Sequence, residues 1–383
     1  MSTVAVEPSL LRWALDRSHL SEGDVQHKFP KIVRWLAGET RPTLRQLESL
    51  AKATSTPLGF FFLKEPPVDR LPLPYFRTAG DEAQSTPSPN LVATVHLMQR
   101  RQSWMREFLV EQGQERRQFV RSATLAEQPT SIARRLRIAL ALGNGWAAAQ
   151  RTWEEALRVL RQTMEAAGIL VFVNGVVANN THRRLDPNEF RGFVMVDDYA
   201  PLVFVNGADG KAAQMFTLAH ELAHVAFGSS AAFDLREMLP ADDPTERACN
   251  RLAAEFLVPE DEMRQTWRYV RGDLDPFQSM ARQFKVSRLV SARRALDLHL
   301  IDRDGFLDFY RRYQRDQRRT APRGDGGDFY ATQNLRVGRR FGRAVIRAAR
   351  EGRLLYSEAY QLTGLYGKTL DAYASFLGIG GRA

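Results

Sequence analysis

The segment at residues 217–228 constrains this chain more than any other part of its sequence. It is apolar and favours helix, and Glu221 is its one charged residue. His220 and His224 stand four positions apart, so a helix places both imidazoles on one face. A helix this apolar should be buried, and a buried carboxylate needs a partner such as a metal ion. The segment therefore predicts a buried helix that carries a metal site.

The His-Glu-x-x-His spacing is typical of hydrolytic zinc sites. In such sites the two imidazoles bind one Zn²⁺ ion and the glutamate between them acts as a general base. We therefore expect Glu221 to take the proton of a water molecule and pass it to the leaving amine of a peptide. The alternative is a helix that carries two histidines by chance, although the whole chain has only 7 histidines.

A third metal ligand must come from another part of the chain, because catalytic zinc usually takes three protein ligands. Glu246 is the best candidate, since it opens a predicted helix far enough beyond His224 for a loop and a return. Glu255, nearer the end of the same helix, is the runner-up. Asn250 lies one turn beyond Glu246, and we expect it to orient a ligand without touching the metal. Cys249 is a weaker candidate, because a cysteine beside an alanine-rich face is more often a small buried residue.

The loop between the helix of His224 and the predicted helix of Glu246 is acidic. We expect its four acids to be solvated loop charges: Asp234, Glu237, Asp242 and Asp243.

Composition predicts a globular chain with more than one domain. The 383 residues suffice for two or three cores, and a hydrophobic share of 44% argues against disorder. No apolar run is long enough for a membrane span, and the first residues lack the pattern of a secretion signal. The single cysteine excludes an internal disulfide framework. We therefore expect a cytoplasmic protein with no membrane partner.

The predicted fold class is α+β and mostly helical. Five regions follow one another: a helical domain at 1–65, a Pro-rich connector at 66–89, a helical region at 90–166, a metal-binding domain at 167–265 and a helical C-terminal region at 266–383. Three β-branched runs predict a small sheet in the metal-binding domain, at 169–173, 190–196 and 201–205. We expect Leu202–Val205 to bind an extended peptide substrate as an added strand.

The net charge of +10 is concentrated late in the chain. Residues 1–65 have a balance of only +2, whereas residues 311–353 hold 13 Arg against 4 acids. This Arg-rich stretch could contact nucleic acid or an acidic protein surface. A solvated helical face is the alternative.

Residues 165–265 resemble the ImmA/IrrE family of metallo-endopeptidases. The matching residues are Asn206, Asp209, Gln214, the run 216–224, Glu246, Cys249, Asn250 and the run 253–259. The resemblance implies a zincin-like fold with His220, His224 and Glu246 as zinc ligands and Glu221 as the base. Characterised members of the family cleave repressors, which implies a protein substrate for this chain.

The N-terminal domain resembles an XRE-type (lambda-repressor-like) helix-turn-helix. The matching residues are Trp35, Leu36, Gly38, Glu39, Pro42, Thr43, Gln46, Leu47, Leu50 and Ala51. This implies DNA binding, for which the available cations are Lys28, Lys31, Arg34 and Arg41. The span from Ser21 to Trp35 is shorter than the usual two helices and turn, and Pro30 stands where the second helix should begin. A module for docking or dimerisation is therefore the alternative.

The whole layout resembles long proteins that combine both modules and are often encoded beside toxins. A second helix-turn-helix-like pattern at 280–298 and the tail residues 327–330 and 352–359 belong to this resemblance. It implies a regulator or antitoxin whose partner is a repressor or a toxin. The alternative is a non-proteolytic DNA-binding antitoxin or autorepressor with a structural or idle metal site.

Overall fold

The computed structural model describes residues 3–18, 20, 22–67, 75–76, 87–233, 243–317 and 332–379. Most of the predicted connector, three of the four loop acids (Asp234, Glu237 and Asp242), Ser21 and the tail residues 327–330 lie outside these ranges. The chain divides into two compact units. The first comprises residues 1–72 and 79–97, and the second comprises residues 73–78 and 98–383.

The first unit is a cluster of short helices. Its helices are α1 (Pro8–Asp16), α2 (Glu22–Lys28), α3 (Ile32–Leu36) and α4 (Leu44–Ala53), followed by a 3-10 turn at Leu58–Phe62. Leu11, Trp35 and Leu47 are buried together in its core. A threonine followed three residues later by a glutamine predicts the start of a helix, and Thr43 and Gln46 do form a reciprocal capping box at the start of α4.

The second unit contains a five-stranded mixed sheet. Its strands are β1 (Tyr75–Phe76), β2 (Leu170–Asn174), β5 (Gly192–Met195), β6 (Leu202–Asn206) and β7 (Ala231–Phe233), in the order β1-β7-β5-β6-β2. A separate hairpin consists of β3 (Val176–Val177) and β4 (Asn180–Arg184). The three strands predicted from β-branched runs are therefore present, and the α+β fold class is confirmed.

The expected substrate-binding role of Leu202–Val205 is wrong. These residues belong to β6, which pairs in parallel with β2 on one side and antiparallel with β5 on the other. Both rows of backbone hydrogen-bonding groups are therefore occupied, and no edge is left for an added strand.

The remaining helices of the second unit surround this sheet. They are α5 (Pro89–Glu111), α6 (Pro129–Ala139), α7 (Trp153–Ala167), α8 (Lys211–Phe227), α9 (Pro244–Leu257), α10 (Glu260–Val270), α11 (Pro276–Phe284), α12 (Arg288–Asp297), α13 (Arg303–Gln317), α14 (Arg339–Arg350), α15 (Tyr356–Thr363) and α16 (Lys368–Phe376). Of α5, only the part from Met98 onward belongs to the second unit. A π-helical turn at Asn334–Gly338 precedes α14. No helix among the described residues is long and apolar enough to cross a membrane.

The core of the second unit centres on α8 and the strands beneath it. Met215, Leu218 and Leu222 of α8 are buried with Val194 and Val203 of the sheet. The second helix-turn-helix-like pattern, at α11 and α12, also packs into this core, through residues such as Met280 and Val290.

Candidate metal centre

The first motif lies in the middle of α8, which is anchored at both ends. At its start, the Gln214 side chain donates a hydrogen bond of 2.7 Å to the Asp209 carbonyl oxygen. At its end, Gly228 takes a left-handed conformation with φ of 79°, which glycine adopts without strain. Residues 214–226 are all buried, as the apolar sequence of this segment predicts. The protein thus fixes the position of both histidines along a rigid helix.

Helix α9 brings the carboxylate of Glu246 to the two imidazoles. Nε2 of His220 lies 3.2 Å from Oε2 of Glu246, and Nε2 of His224 lies 3.2 Å from Oε1 of the same residue. The two Nε2 atoms are 3.1 Å apart. Glu246 reaches this position from the first turn of α9, where Asp243 caps the helix by accepting from the Thr245 and Glu246 backbone N–H groups. Asp243 was expected to be a solvated loop charge, so that expectation is wrong.

These three side chains fit a metal ion. Ligand atoms at about 2.0–2.1 Å from a tetrahedral ion lie about 3.3 Å from one another, close to the separations found here. The Glu246 oxygens are buried and have no hydrogen-bond partner of good geometry among the described residues. Among the described residues, His220, His224 and Glu246 are close enough together to hold one metal ion. The two Nε2 atoms and the Glu246 carboxylate therefore face a common point.

Both imidazoles are oriented through their other nitrogen. Nδ1 of His220 lies 3.0 Å from Oδ1 of Asn250, an oxygen that can only accept, so this nitrogen donates. Nδ1 of His224 is hydrogen-bonded to Oγ of Ser229 at 2.8 Å. A proton on Nδ1 leaves the Nε2 lone pair free to bind a metal. The sequence analysis named Asn250 but missed Ser229. Its position directly after the glycine that ends α8 was the available signal.

The electrostatics of the group also suit a metal. Burial lowers the pKa of His220, which keeps the imidazole neutral, as a metal ligand must be. Burial alone would raise the pKa of Glu246, but the hydrogen-bonding and charge interactions with the two histidines lower it to about 2. Glu246 is therefore an anion beside the neutral imidazole of His220.

Glu221 is a second buried carboxyl group next to these residues. Its side chain is 0% exposed, and neither oxygen has a hydrogen-bond partner among the described residues. Burial, and then the nearby charge of Glu246, raise the pKa of Glu221 well above its ordinary value. Two carboxyl groups enclosed in apolar surroundings require a compensating cation.

The comparisons with known proteins agree with this geometry. Residues 164–296 match the family model of the IrrE N-terminal-like domain, peptidase family M78. That range, called the IrrE-like domain below, is similar to this family. It is metallopeptidase-like and implies a bound metal. A second match assigns residues 337–376 to a domain of unknown function, DUF8813. Nothing among the curated proteins matches the chain.

The strand β5 passes unusually close to α8 within the IrrE-like domain. A Cβ atom on Gly192 would lie 2.6 Å from Cγ2 of Thr217 and 3.0 Å from Oε1 of Glu221. It would also lie 2.9 Å from the carbonyl oxygen of Phe204. The absence of a side chain at this position therefore lets the sheet pack directly against the Glu221 carboxyl group.

The other candidate ligands lie outside this group. Glu255 forms a buried ion pair with Arg294 of α12, which also donates to the Val258 carbonyl oxygen at 3.0 Å. The runner-up thus joins α9 to α12 and leaves the third position to Glu246. Cys249 is fully buried, and burial raises the pKa of its thiol, so it stays a neutral core residue.

The predicted DNA-binding cations lie on the surface of the first unit. Lys28, Lys31, Arg34 and Arg41 are all exposed. Lys31 and Arg34 flank Val33, whose side chain is 59% exposed at the outer face of α3. The match to the IrrE-like domain does not cover this unit, so its resemblance to a helix-turn-helix rests on its own residues.

Proposed function

We propose that this protein is a zinc-dependent endopeptidase that cleaves a protein partner, a repressor or a toxin, and that its N-terminal unit binds DNA. The observation that carries the proposal is the convergence of both Nε2 atoms and the Glu246 carboxylate, with a buried glutamate beside them. Two imidazoles and one carboxylate form a donor set that zinc uses in hydrolytic enzymes.

Each side chain has a separate task in this reaction. His220, His224 and Glu246 would hold the ion, which, when bound, would polarise the scissile carbonyl and acidify a water molecule. Glu221 accepts a proton from that water and donates it to the leaving amine.

Replacing Glu221 with Gln tests the catalytic step. We expect Glu221→Gln to keep its zinc and to lose about 10²–10⁴-fold in cleavage rate, because the amide cannot accept the proton. Cleavage of a candidate repressor or toxin, followed on gels with and without a chelator, measures the effect. Glu115→Gln, at an exposed position, is the matched control. Full activity of Glu221→Gln would refute the mechanism.

Replacing Glu246 with Ala tests the third ligand. We expect Glu246→Ala to lose zinc, since two imidazoles alone bind the ion weakly. Metal analysis of the purified protein by mass spectrometry measures zinc per chain, with Glu115→Ala as the control. Unchanged zinc content in Glu246→Ala would show that the assignment is wrong.

The exposed cations of the first unit support the DNA-binding part. Lys31 and Arg34 could contact phosphate groups, and each contact adds about 0.9 to the slope of log affinity against log salt. We expect Lys31→Ala/Arg34→Ala to bind the protein's own promoter more weakly and to reduce that slope by nearly two. Lys52→Ala, an exposed position on α4, is a single-charge control. An unchanged slope would favour docking or dimerisation instead.

The burial of the site favours one alternative function. His220, Glu221, His224 and Glu246 are at most 2% exposed. A peptide bond can reach them only if the site opens, so the protein could instead act as a non-proteolytic antitoxin or autorepressor with an idle metal. A partner that binds tightly, stays uncleaved and is unaffected by a chelator would support this alternative over the peptidase.

A further inference from the structure

The second unit also has a cavity whose lining includes no residue of the metal centre. It has a volume of about 650 Å³, lies between the end of α5, the end of α7 and the first half of α14, and is open to solvent. Met105, Phe108 and Leu109 of α5 form an apolar wall. Met105 and Leu109 are buried, and the ring of Phe108 is half-buried, with its centre 5.2 Å from that of Trp104 and 5.1 Å from the guanidinium carbon of Arg353. None of these residues takes part in the proposed peptidase reaction.

The opposite wall of this cavity carries four arginines. Arg339, Arg343 and Arg347 recur every fourth residue along α14, and Arg340 stands beside the first of them. A row from 339 to 347 extends about 12 Å along a helix. Like charges four residues apart destabilise a helix. Arg343 donates to the Leu377 carbonyl oxygen at 3.0 Å and Arg340 to the Glu165 carbonyl oxygen at 3.4 Å. None of the four forms a salt bridge with a carboxylate among the described residues, so no negative charge there is paired with the row.

The one acid in the lining cannot neutralise the row. Glu165 accepts a hydrogen bond from the Arg340 backbone N–H at 3.2 Å, which caps the start of α14. Burial raises the pKa of Glu165, which weakens it further as a counter-charge. Nε of Arg340 is buried without a hydrogen-bond partner, and Arg117 adds a further positive charge nearby. The wall of the cavity therefore carries a surplus of positive charge.

Neutral polar groups complete the cavity. Gln112, Gln114 and Gln162 line it, and each amide can both donate and accept hydrogen bonds. An apolar aromatic wall, amides at the rim and a row of guanidinium groups suit a ligand with a flat, partly apolar body and several adjacent negative charges. Guanidinium groups bind phosphate through two parallel hydrogen bonds, and a cavity of this size has room for a small molecule.

We propose that this cavity binds a nucleoside di- or triphosphate, with the phosphates on Arg339, Arg343 and Arg347 and the base near Phe108 and the glutamines. The site lies at the junction of the IrrE-like domain and the DUF8813 region. It does not depend on the metal centre or on peptidase activity.

Titration calorimetry of the full-length protein tests the site with ADP, ATP, GDP and GTP as probes. We expect saturable binding of at least one nucleotide at one per chain, with pyrophosphate and the free nucleoside each binding more weakly. Arg339→Gln/Arg347→Gln should weaken that binding at least about tenfold, since each change removes a charge-assisted contact. Neither side chain makes a contact that holds the fold, so circular dichroism should be unchanged.

The control variant is Arg268→Gln/Arg271→Gln, which removes the same charge from exposed positions of α10 and the residue after it, outside this cavity. It should leave nucleotide affinity within about twofold of wild type. Absence of saturable binding of all four nucleotides overturns the proposal. Equal loss in both double variants also overturns it, because binding would then follow overall charge. Binding of an acidic peptide in place of the nucleotides would assign the cavity to a protein partner and likewise overturn it.

Discussion

Each histidine of the metal centre uses its two nitrogens differently. Nδ1 is fixed by Asn250 or Ser229, and Nε2 points toward Glu246. The fixed nitrogen determines where the other one points, so these partners matter without touching a metal. A chain with the same motif but without them would hold its imidazoles less precisely.

Removing these partners should weaken metal binding. We expect Asn250→Ala and Ser229→Ala each to raise the dissociation constant for zinc about 10–100-fold, because the ring loses its preferred orientation and tautomer. Competition with a fluorescent chelator measures this constant. Ser103→Ala, at an exposed position of α5, is the control. Wild-type affinity in both variants would mean that the helix alone orients the rings.

Gly192 is the second residue at which a small change should have a large effect. We expect Gly192→Ala to cost about 1–3 kcal/mol of stability through overpacking and to lower cleavage activity by displacing Glu221. Urea unfolding and the cleavage assay measure the two effects. Gly272→Ala is the matched control, because an added Cβ there meets nothing within 4 Å. If both variants behave alike, the close approach of β5 to α8 has no energetic consequence.

At the scale of elements, the strong patterns predicted the structure and the weak ones did not. The apolar run around His220 predicted α8, and Thr43 with Gln46 predicted the start of α4. The strands β1 and β7 are only two and three residues long and were not predicted. Segments this short carry no periodicity, and their positions follow from pairing, since β7 covers the edge of β5 and β1 covers the edge of β7.

The junction between α7 and α14 gives a prediction about pH. Glu165 near the end of α7 has an ordinary pKa of 4.5, and burial raises it in the folded chain. The folded state therefore holds the proton more tightly than the unfolded state. This contribution to stability is complete below about pH 4.5 and is lost as pH rises through the folded pKa.

Glu165→Gln should remove this dependence and keep the cap on α14, because the amide oxygen still accepts from the Arg340 N–H. We expect the wild type to lose stability relative to the variant as pH rises from about 4.5 upward. Urea unfolding at a series of pH values gives the comparison, with Glu154→Gln, an exposed residue of α7, as the control. Parallel pH profiles for wild type and Glu165→Gln would contradict the prediction.

At the scale of the whole second unit, Arg101 links distant parts of the chain. From α5 it donates to the Leu362 carbonyl oxygen at 2.8 Å and to the Arg336 carbonyl oxygen at 2.7 Å. Its guanidinium group also lies 5.0 Å from the ring centre of Phe172 in β2. One buried side chain therefore holds the C-terminal helices against the sheet.

Arg101→Met should destabilise the protein by about 3 kcal/mol, because two buried carbonyl groups lose their donors while the volume of the side chain is largely kept. Urea unfolding measures the difference. Arg100→Met is the matched control, since Arg100 is the adjacent residue and is exposed. Equal stability of the two variants would show that Arg101 contributes no more than a surface residue.

The sequence by itself determined the metal-binding helix and the identity of the groups on it. Spacing along one helix is local, so His220 and His224 could be placed together without any knowledge of the fold. Glu246 was also predicted, but its choice over Glu255 depended on which face of α9 meets α8. Only the tertiary structure decided that, because Arg294 engages Glu255 and leaves Glu246 to the histidines.

Only the tertiary structure decided where β6 lies in the sheet and which arginines of residues 311–353 line the cavity. Strand order follows from pairing between segments far apart in sequence, which a single strand's pattern does not encode. The sequence analysis noted the Arg-rich stretch but could not say which arginines share a face or what they oppose. Packing of α14 against α5 and α7 turned four of them toward a common cavity. Local periodicity thus fixed the chemistry of the metal helix, and long-range packing fixed where every other charged group came to lie.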